Sequence, residues 1–550
     1  MNTAHATAHA SAPTEDSAAA AAAATTAAAP DPAYRTLPGL IRQHARERPD
    51  RLALLQDDAR LSYAALDALM DRVAASLQRD GVKPGDAIAI CAHASPRYAA
   101  VFLGALRAGI AVAPLAPSVT PDSFASMLGD AQARWLFVDE AARGTMGAAG
   151  AAGHSPQAER CISLDGVAPG LAFDAWLMPE GALPEPVDVP PDHPFNIIYS
   201  SGTTGAPKGI VQSHGMRWSH VARGANYGYG LQGVTLLATP LYSNTTLVVF
   251  FPTLAFGGAV ILMDKFDAAK YLALAVQHRV THTMLVPVQY QRLMALPTFD
   301  AHDLSAYQFK FCTSAPFSAA LKADVVKRWP GGLIEFYGMT EGGGTCILAA
   351  HEHPDKLHTV GQPALGHDIR LIDDEGHELP SGAPDAIGEV VGHSAGMMTG
   401  YHRQPGKTRE AEWFDAQGKR FIRTGDVGRF DPQGFLTLMD RKKDMVISGG
   451  FNIYPSDLEA VLREHAAVLD VAVVGVPSVQ WGETPIAFVV PRAGSELAAD
   501  ELMRWLNERV GKTQRLARLE YLVELPRSAI GKVLKRELRD AHVASGRVPR

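Results

Sequence analysis

The sequence predicts an α/β protein: a large N-terminal domain of parallel-rich sheets covered by helices, and a small α+β domain behind it. Two observations predict this. Apolar strand-like runs alternate with amphipathic segments from about residue 34 onward, and the texture changes abruptly near residue 440. The length of 550 residues also exceeds what one hydrophobic core serves, so more than one lobe is required.

The first unit to read is "DAIAICAHASPRYAAVFLGALRAGIAVAPLAP" (86–117): a buried strand, a polar turn, an amphipathic helix and a second strand. Gly104, Ala105, Ala108 and Gly109 keep one helix surface small, which suits close packing on a sheet. "VTHTMLVPVQYQRLM" (280–294) and "AYQFKFCTSAPFSAALKADVVKRW" (306–329) repeat the strand-then-helix order, the signature of parallel sheet under helices. "LVVFFPTLAFGGAVILM" (247–263) falls short of about 20 residues and contains Pro252, Gly257 and Gly258. It reads as core, and no membrane span is expected.

After "LTLMDRKKDMVISGGFNIYP" (436–455) come a helix, two strands and a further helix, with the boundary predicted at Asp440/Arg441. Ser456 and Glu459 have capping-box spacing at the start of that helix. The domains are thus 34–440 and 441–550. Residues 1–33 form an alanine-rich tail without Lys or Arg, read as disordered and as neither signal nor transit peptide.

Composition excludes several classes. Hydrophobic residues are 47% and charged residues 20%, ordinary for a soluble globular protein. A net charge of -7 argues against a nucleic-acid or membrane-surface binder. Cys91, Cys161, Cys312 and Cys346 form no CxxC pair, which suits free thiols in a reducing cytoplasm. The "HEHPDKLH" cluster (351–358) lacks HExxH spacing and flanking cysteines, so it reads as a solvated loop and not as a zinc site.

The chemistry concentrates in "YSSGTTGAPKG" (199–209). Glycines let backbone N–H groups turn inward, Ser200, Ser201, Thr203 and Thr204 add hydroxyls, and Lys208 adds a point charge. That inventory suits polyphosphate. It is not a Walker A loop, because Pro207 precedes Lys208 and Gly209 follows it.

This loop resembles the phosphate loop of the acyl-adenylate-forming enzymes, which include acyl-CoA synthetases, beetle luciferases and peptide-synthetase adenylation domains. The other motifs follow in family order over about residues 36–540, on the 4-coumarate- and fatty-acid-CoA ligase-like branch. The resemblance implies that Ser200, Ser201, Gly202, Thr203, Thr204 and Gly205 hold ATP phosphates. In "FYGMTEGG" it implies Tyr337 against adenine, Thr340 on phosphate and Glu341 on Mg2+. Asp426 in "RTGDVGRFD" and Arg441 become the ribose contacts, and Lys443 the hinge. Gly449 and Gly450 line the coenzyme A tunnel, and Lys532 in "LPRSAIGKVLKREL" is the mobile catalytic lysine.

The acid pocket is where the chain departs from that pattern. "TPLYSNTTL" places Ser243 and Asn244 where many relatives have a histidine. Phe336 stands in place of a common glycine and narrows or floors the pocket, and "CTSAP" replaces a glycine-rich stretch. The pocket candidates are Tyr242, Ser243, Asn244, Val286, Thr313, Ser314 and Phe336. They favour a medium aliphatic, alicyclic or aromatic acid over acetate. Arg217 and Arg223, just after the loop, are the residues left open for a second carboxylate.

The expected protein is an ATP- and Mg2+-dependent carboxylic acid–CoA ligase acting on a small-molecule acid in the cytoplasm. The close alternative is an acyl-AMP ligase delivering to a separate carrier protein, since no carrier domain follows Lys532. A luciferase-like oxygenase stands third, and a non-catalytic nucleotide or acyl sensor on the same fold is the reading from another class. The oligomeric state stays open between monomer and homodimer.

Overall fold

The computed structural model describes residues 33–151, 160–200, 207–380, 386–448, 451–495, 497–528 and 531–546. The predicted tail lies outside them apart from Ala33. Two parallel-centred sheets dominate the part of the chain from Arg35 onward.

The nine-stranded sheet has a parallel centre of Gly332–Gly338, Phe309–Cys312, His282–Leu285, Val234–Leu237, Ala259–Leu262 and Leu52–Gln56, in that spatial order. Antiparallel strands close both edges. In the eight-stranded sheet the parallel series runs from Pro194–Ser200 through Ala111–Leu115 and Ala87–Cys91 outward, and Lys208–Ser213 folds back antiparallel on Pro194–Ser200. The strand–helix–strand unit reads as expected: Ala87–Cys91, Pro96–Arg107 and Ala111–Leu115, with Tyr98 to Leu106 all buried.

The small-residue face of that helix serves a different neighbour from the one predicted. A Cβ on Gly104 would stand 2.7 Å from Val73, on the helix Tyr63–Arg79, so the glycine admits a helix and not a sheet. Residues 247–263 form core: the helix Asn244–Ala255, which contains Pro252, and the strand Ala259–Leu262 are buried. Among the described residues no helix is long and apolar enough to cross a membrane. All four cysteines are buried free thiols.

A third sheet departs from the parallel expectation. Asp368–Ile372, Gly388–His393, Arg420–Phe430, Glu412–Phe414 and Leu436–Arg441 pair antiparallel throughout. The fourth sheet holds the C-terminal strands, with Val468–Ser478 and Gly482–Pro491 as its long hairpin. The helices Pro455–Glu464, Ala499–Asn507 and Lys535–Ala544 belong to the same C-terminal part. The predicted capping box is not formed: Tyr454 occupies the N-cap without a side-chain bond. Ser456 Oγ instead donates to the Met439 carbonyl, and Glu459 pairs with Lys535 at 2.9 Å and accepts from the Val473 N–H at 2.8 Å. The two side chains are spent on tying the helix to its neighbours, which removes both from the cap.

Candidate active site

The strand Pro194–Ser200 runs toward the predicted phosphate loop, and Lys208 opens the returning strand in register with Ser200. Tyr199 Oη donates to Asp130 Oδ2 at 2.7 Å and pins the end of the outgoing strand. Ser201, Gly202, Thr203, Thr204 and Gly205, the Ser200 side chain, and Gly449 and Gly450 lie outside the described residues.

Lys208 and Glu341 are joined through Tyr401. The Lys208 ammonium lies 5.0 Å over the Tyr401 ring, and Tyr401 Oη donates to Glu341 Oε1 at 2.9 Å. Burial, with the Glu341 charge beside it, holds the Tyr401 proton far above its usual range. Backbone contacts fix the turn: Gln212 Nε2 donates to the Thr340 carbonyl at 2.7 Å and the Met398 N–H to that of Glu341 at 2.8 Å. Gly342 sits at φ +72°, where a Cβ would fall 1.9 Å from the Gly396 carbonyl, so only glycine lets the turn approach this closely. Tyr401 escaped the sequence reading, and the "TGYHRQP" context is its only local signal.

A second cluster spans the N- and C-terminal parts. Tyr337 Oη donates to Asp426 Oδ2 at 2.8 Å, and Arg441 Nε stands 3.1 Å from Asp426 Oδ1. Asp426 and Arg441 are cross-strand partners, so the sheet itself sets their pairing. Burial pulls the Lys532 ammonium down to about 8, with repulsion from Arg441 next and attraction to Asp426 opposing it. Burial likewise lowers Lys443, which feels Asp444 and Arg441. The turn carrying Lys532 is closed by Ser528, whose N–H donates to the Lys532 carbonyl at 2.8 Å. Gly531, at φ +75°, places its Cβ position 2.8 Å from Val288 Cγ1 and 3.4 Å from Val286 Cγ2. The C-terminal turn is therefore seated beside one edge of the predicted acid pocket.

In that pocket most predicted hydroxyls already have partners. Ser243 caps the helix Asn244–Ala255 by accepting from the Thr245 N–H at 3.3 Å. Ser314, at φ +81°, shares a 2.5 Å hydrogen bond with Thr245, and Thr313 donates to the Phe336 carbonyl at 2.7 Å. Asn244 Oδ1 is buried with no partner among the described residues. Burial pushes the Tyr242 hydroxyl up to about 12. Phe336 joins a cluster of near-parallel rings: Phe311 lies 5.5 Å from it, and Tyr229 and His282, 4.3 Å apart, stand 6.3 and 6.4 Å from Phe311. Thr245 was missed, because its role depends on Ser314, far away in sequence.

Of the two arginines left open, Arg217 is buried between Phe195 and Phe251, with centroid distances of 5.8 and 5.6 Å. Burial lowers both guanidinium groups, and Arg223 has Tyr227 as its opposing neighbour.

Two parallel-centred sheets, a small C-terminal α+β part and a lysine-bearing turn beside Val286 and Val288 are the setting of the candidate residues, and the class of protein is an acid-activating, AMP-forming ligase. The chain belongs to the AMP-binding enzyme family: residues 41–402 match AMP-binding enzyme and 457–532 the AMP-binding enzyme C-terminal domain. It is 32% identical over 510 residues to a feruloyl-CoA synthase of Amycolatopsis sp, covering 90% of this chain and 97% of the relative. It is also 30% identical over 522 residues to the fatty acid–[acyl-carrier-protein] ligase ScoC of Streptomyces coeruleorubidus, covering 92% and 97%. The crystal structure of ATP-bound MatB from Rhodopseudomonas palustris superposes with a TM-score of 0.82 at 28% identity, covering 92% of this chain and 99% of that one. The protein is an AMP-forming acid–thiol ligase, and ATP and coenzyme A are the co-substrates expected of this family's CoA ligases.

Proposed function

We propose that the protein is a carboxylic acid–CoA ligase whose acid is medium aliphatic, alicyclic or aromatic. The observation that carries this reading is the Lys532 turn packed against Val286 and Val288, with Asp426 and Arg441 in its electrostatic reach. A lysine placed there serves the first half-reaction. The carboxylate attacks the α-phosphorus, acyl-AMP forms and pyrophosphate leaves. Two anions must meet, so the barrier is positional and electrostatic. Lys532 bridges the carboxylate and the α-phosphate, and Lys208 faces the departing pyrophosphate.

Tyr337 lies along the adenine, while Asp426 and Arg441 hold the ribose and Thr340 a phosphate. Glu341 fits Mg2+, since Oε1 is held by Tyr401 and Oε2 has no partner among the described residues. Mg2+ takes one or two carboxylates plus phosphate oxygens and neutralises charge on the polyphosphate. In the second half-reaction coenzyme A attacks the acyl carbon and AMP departs. We place the domain division at Asp440/Arg441, the rotation at Lys443 and the thiol passage along Gly449 and Gly450. Phe336 and the rings clustered behind it limit the depth of the acid pocket, and the partnered hydroxyls leave its walls mainly apolar. A cytoplasmic setting agrees with the four buried thiols.

A second reading, delivery of the acyl group to a separate carrier protein, is favoured by the similarity to ScoC. Pyrophosphate release and free-thiol loss, followed in parallel over a panel of acids with ATP, Mg2+ and coenzyme A, test both. Matched signals support the CoA ligase. Pyrophosphate release with coenzyme A untouched moves the acceptor to a carrier protein, and no acid-dependent pyrophosphate release refutes the substrate range.

A further inference from the structure

Glu341 is buried, and among the described residues no ion pair forms on it or on Lys208. Both charges rest on one side chain. Tyr401 Oη donates to Glu341 Oε1 at 2.9 Å, and the Tyr401 ring carries the Lys208 ammonium at 5.0 Å. Glu410, whose carboxylate feels the Lys208 charge, is already paired with Lys407 at 2.7 Å. Opposite charges attract strongly where the surroundings exclude water, so a direct Lys208–Glu341 pair is the arrangement to expect with nothing between them. Such a pair would neutralise both groups and turn each away from any ligand.

The backbone fixes the phenol in that place. Gly400–Tyr401 pairs antiparallel with the strand Lys208–Ser213, with Tyr401 opposite Ile210, and the His402 N–H donates to the Gly209 carbonyl at 2.6 Å. The Tyr401 N–H donates to Thr408 Oγ1 at 3.0 Å. On the other side, the Met398 N–H donates to the Glu341 carbonyl at 2.8 Å. Residues 398–402 therefore grip the Lys208 strand and the Glu341 turn together. Ile210, Met398, Tyr401 and Ile422 form one apolar cluster, which packs the base of the ring as well.

We propose that Tyr401 is a positioning residue that keeps Glu341 and Lys208 from pairing with each other. Its hydroxyl occupies Oε1 and turns the carboxylate so that Oε2 is left for Mg2+. Its ring face attracts the ammonium through the negative π cloud, which seats Lys208 without spending its three N–H donors. Those donors are then free for phosphate oxygens. This role rests on the reading of Glu341 as the Mg2+ residue and Lys208 as the pyrophosphate lysine. Tyr401→Phe keeps the ring and removes the hydroxyl, whereas Tyr401→Leu removes both, so the two functions of the side chain separate by substitution.

ATP binding is measured by calorimetry on the full chain without acid or coenzyme A, once with Mg2+ and once with a chelator. The ratio of the two affinities is the coupling between metal and nucleotide. Tyr401→Phe is expected to lower that ratio about tenfold, the size of one hydrogen bond to a charged group, and to leave metal-free binding unchanged. A merely structural tyrosine would weaken both conditions alike. Tyr401→Leu is expected to weaken both, because Lys208 and Glu341 then pair. Adding Lys208→Met to Tyr401→Leu should recover part of the ratio by releasing Glu341. An unchanged or raised ratio in Tyr401→Phe overturns the role of the hydroxyl, and equal loss in the two conditions does the same. A double variant without recovery overturns the role of the ring. Where Tyr401→Leu fails to fold, Tyr401→Phe decides alone. Glu341→Gln separates the two levels: a ratio it leaves unchanged overturns the Mg2+ reading and the proposal with it. A ratio lost there and kept in Tyr401→Phe overturns the proposal alone.

Discussion

Tyr337 and Asp426, 89 positions apart, meet at 2.8 Å across two different sheets, and Arg441 faces the other oxygen of the same carboxylate. Asp426→Asn keeps the shape and removes the charge that both partners face. The KM for ATP is expected to rise about tenfold or more, the loss of one charge-assisted contact. Initial-rate kinetics check this, and an unchanged KM would remove Asp426 from the nucleotide site.

Lys532→Ala is expected to lower the adenylation half-reaction by about 10²–10³, the usual scale for one electrostatic stabiliser. Thioester formation from synthetic acyl-AMP should survive. Pyrophosphate exchange and thiol consumption, assayed separately, decide it: equal loss of both would contradict a lysine that serves only one step.

The same lysine sets a pH dependence. Its ammonium is lowered to about 8, so the charge is present at pH 7 and lost as pH rises through that value. Adenylation kcat/KM should therefore decline on the alkaline side with a midpoint near 8. Between about 8 and the ordinary 10.5 the unfolded chain binds the extra proton, so this group makes stability rise with pH in that window. A flat alkaline limb would mean that the charge is not needed.

Gly531→Ala tests docking of the turn. The new methyl would collide with Val288 at 2.8 Å, on a backbone at φ +75° that disfavours alanine. Adenylation should fall while thioester formation from acyl-AMP is spared. The two half-reactions, compared in one preparation, show whether the turn must seat for the first alone.

Lys322 and Glu335 form an ion pair with side chains 2% and 6% exposed, and Lys322 also donates to the Leu357 and Thr359 carbonyls at 2.9 Å each. Glu335 directly precedes Phe336 and Tyr337 on their strand. Lys322→Met strands a buried carboxylate and should cost about 3–5 kcal/mol, much of it recovered by adding Glu335→Leu. Denaturant midpoints of the single and double variants measure this.

The parallel sheets were legible because their strands are short apolar runs buried on both faces, as Ala87–Cys91 and Ala111–Leu115 are. The third sheet was not. In Arg420–Phe430 buried Phe421 and Ile422 are adjacent, and four less buried residues separate them from Val427, so neither alternation nor an apolar run announces a strand. Among the candidate site residues, Lys208, Glu341, Asp426 and Lys532 were chosen on fixed local spacing. Tyr401 and Thr245 act through partners 60 and 69 positions away, which no local pattern encodes. Ser456 looked like a cap, but the chain brought Met439 and Asp440 to it and the tertiary bonds won.

The ring cluster around Phe336 and Phe311 has a bearing on how substrate choice can evolve. Phe336 stacks on Phe311 at an interplanar angle of 20°, and both Tyr229 and His282 lie near-parallel to Phe311, at 14° and 17°. On the proposed reading, removing the Phe336 ring deepens the acid pocket, and it also takes a face from Phe311. Changes within the cluster should therefore be epistatic, with the worth of each substitution set by the rings already present. Selection for a longer acid would then recover linked sets of changes at 229, 282, 311 and 336. Acceptance of larger acids would advance in jumps, with few functional intermediates between them.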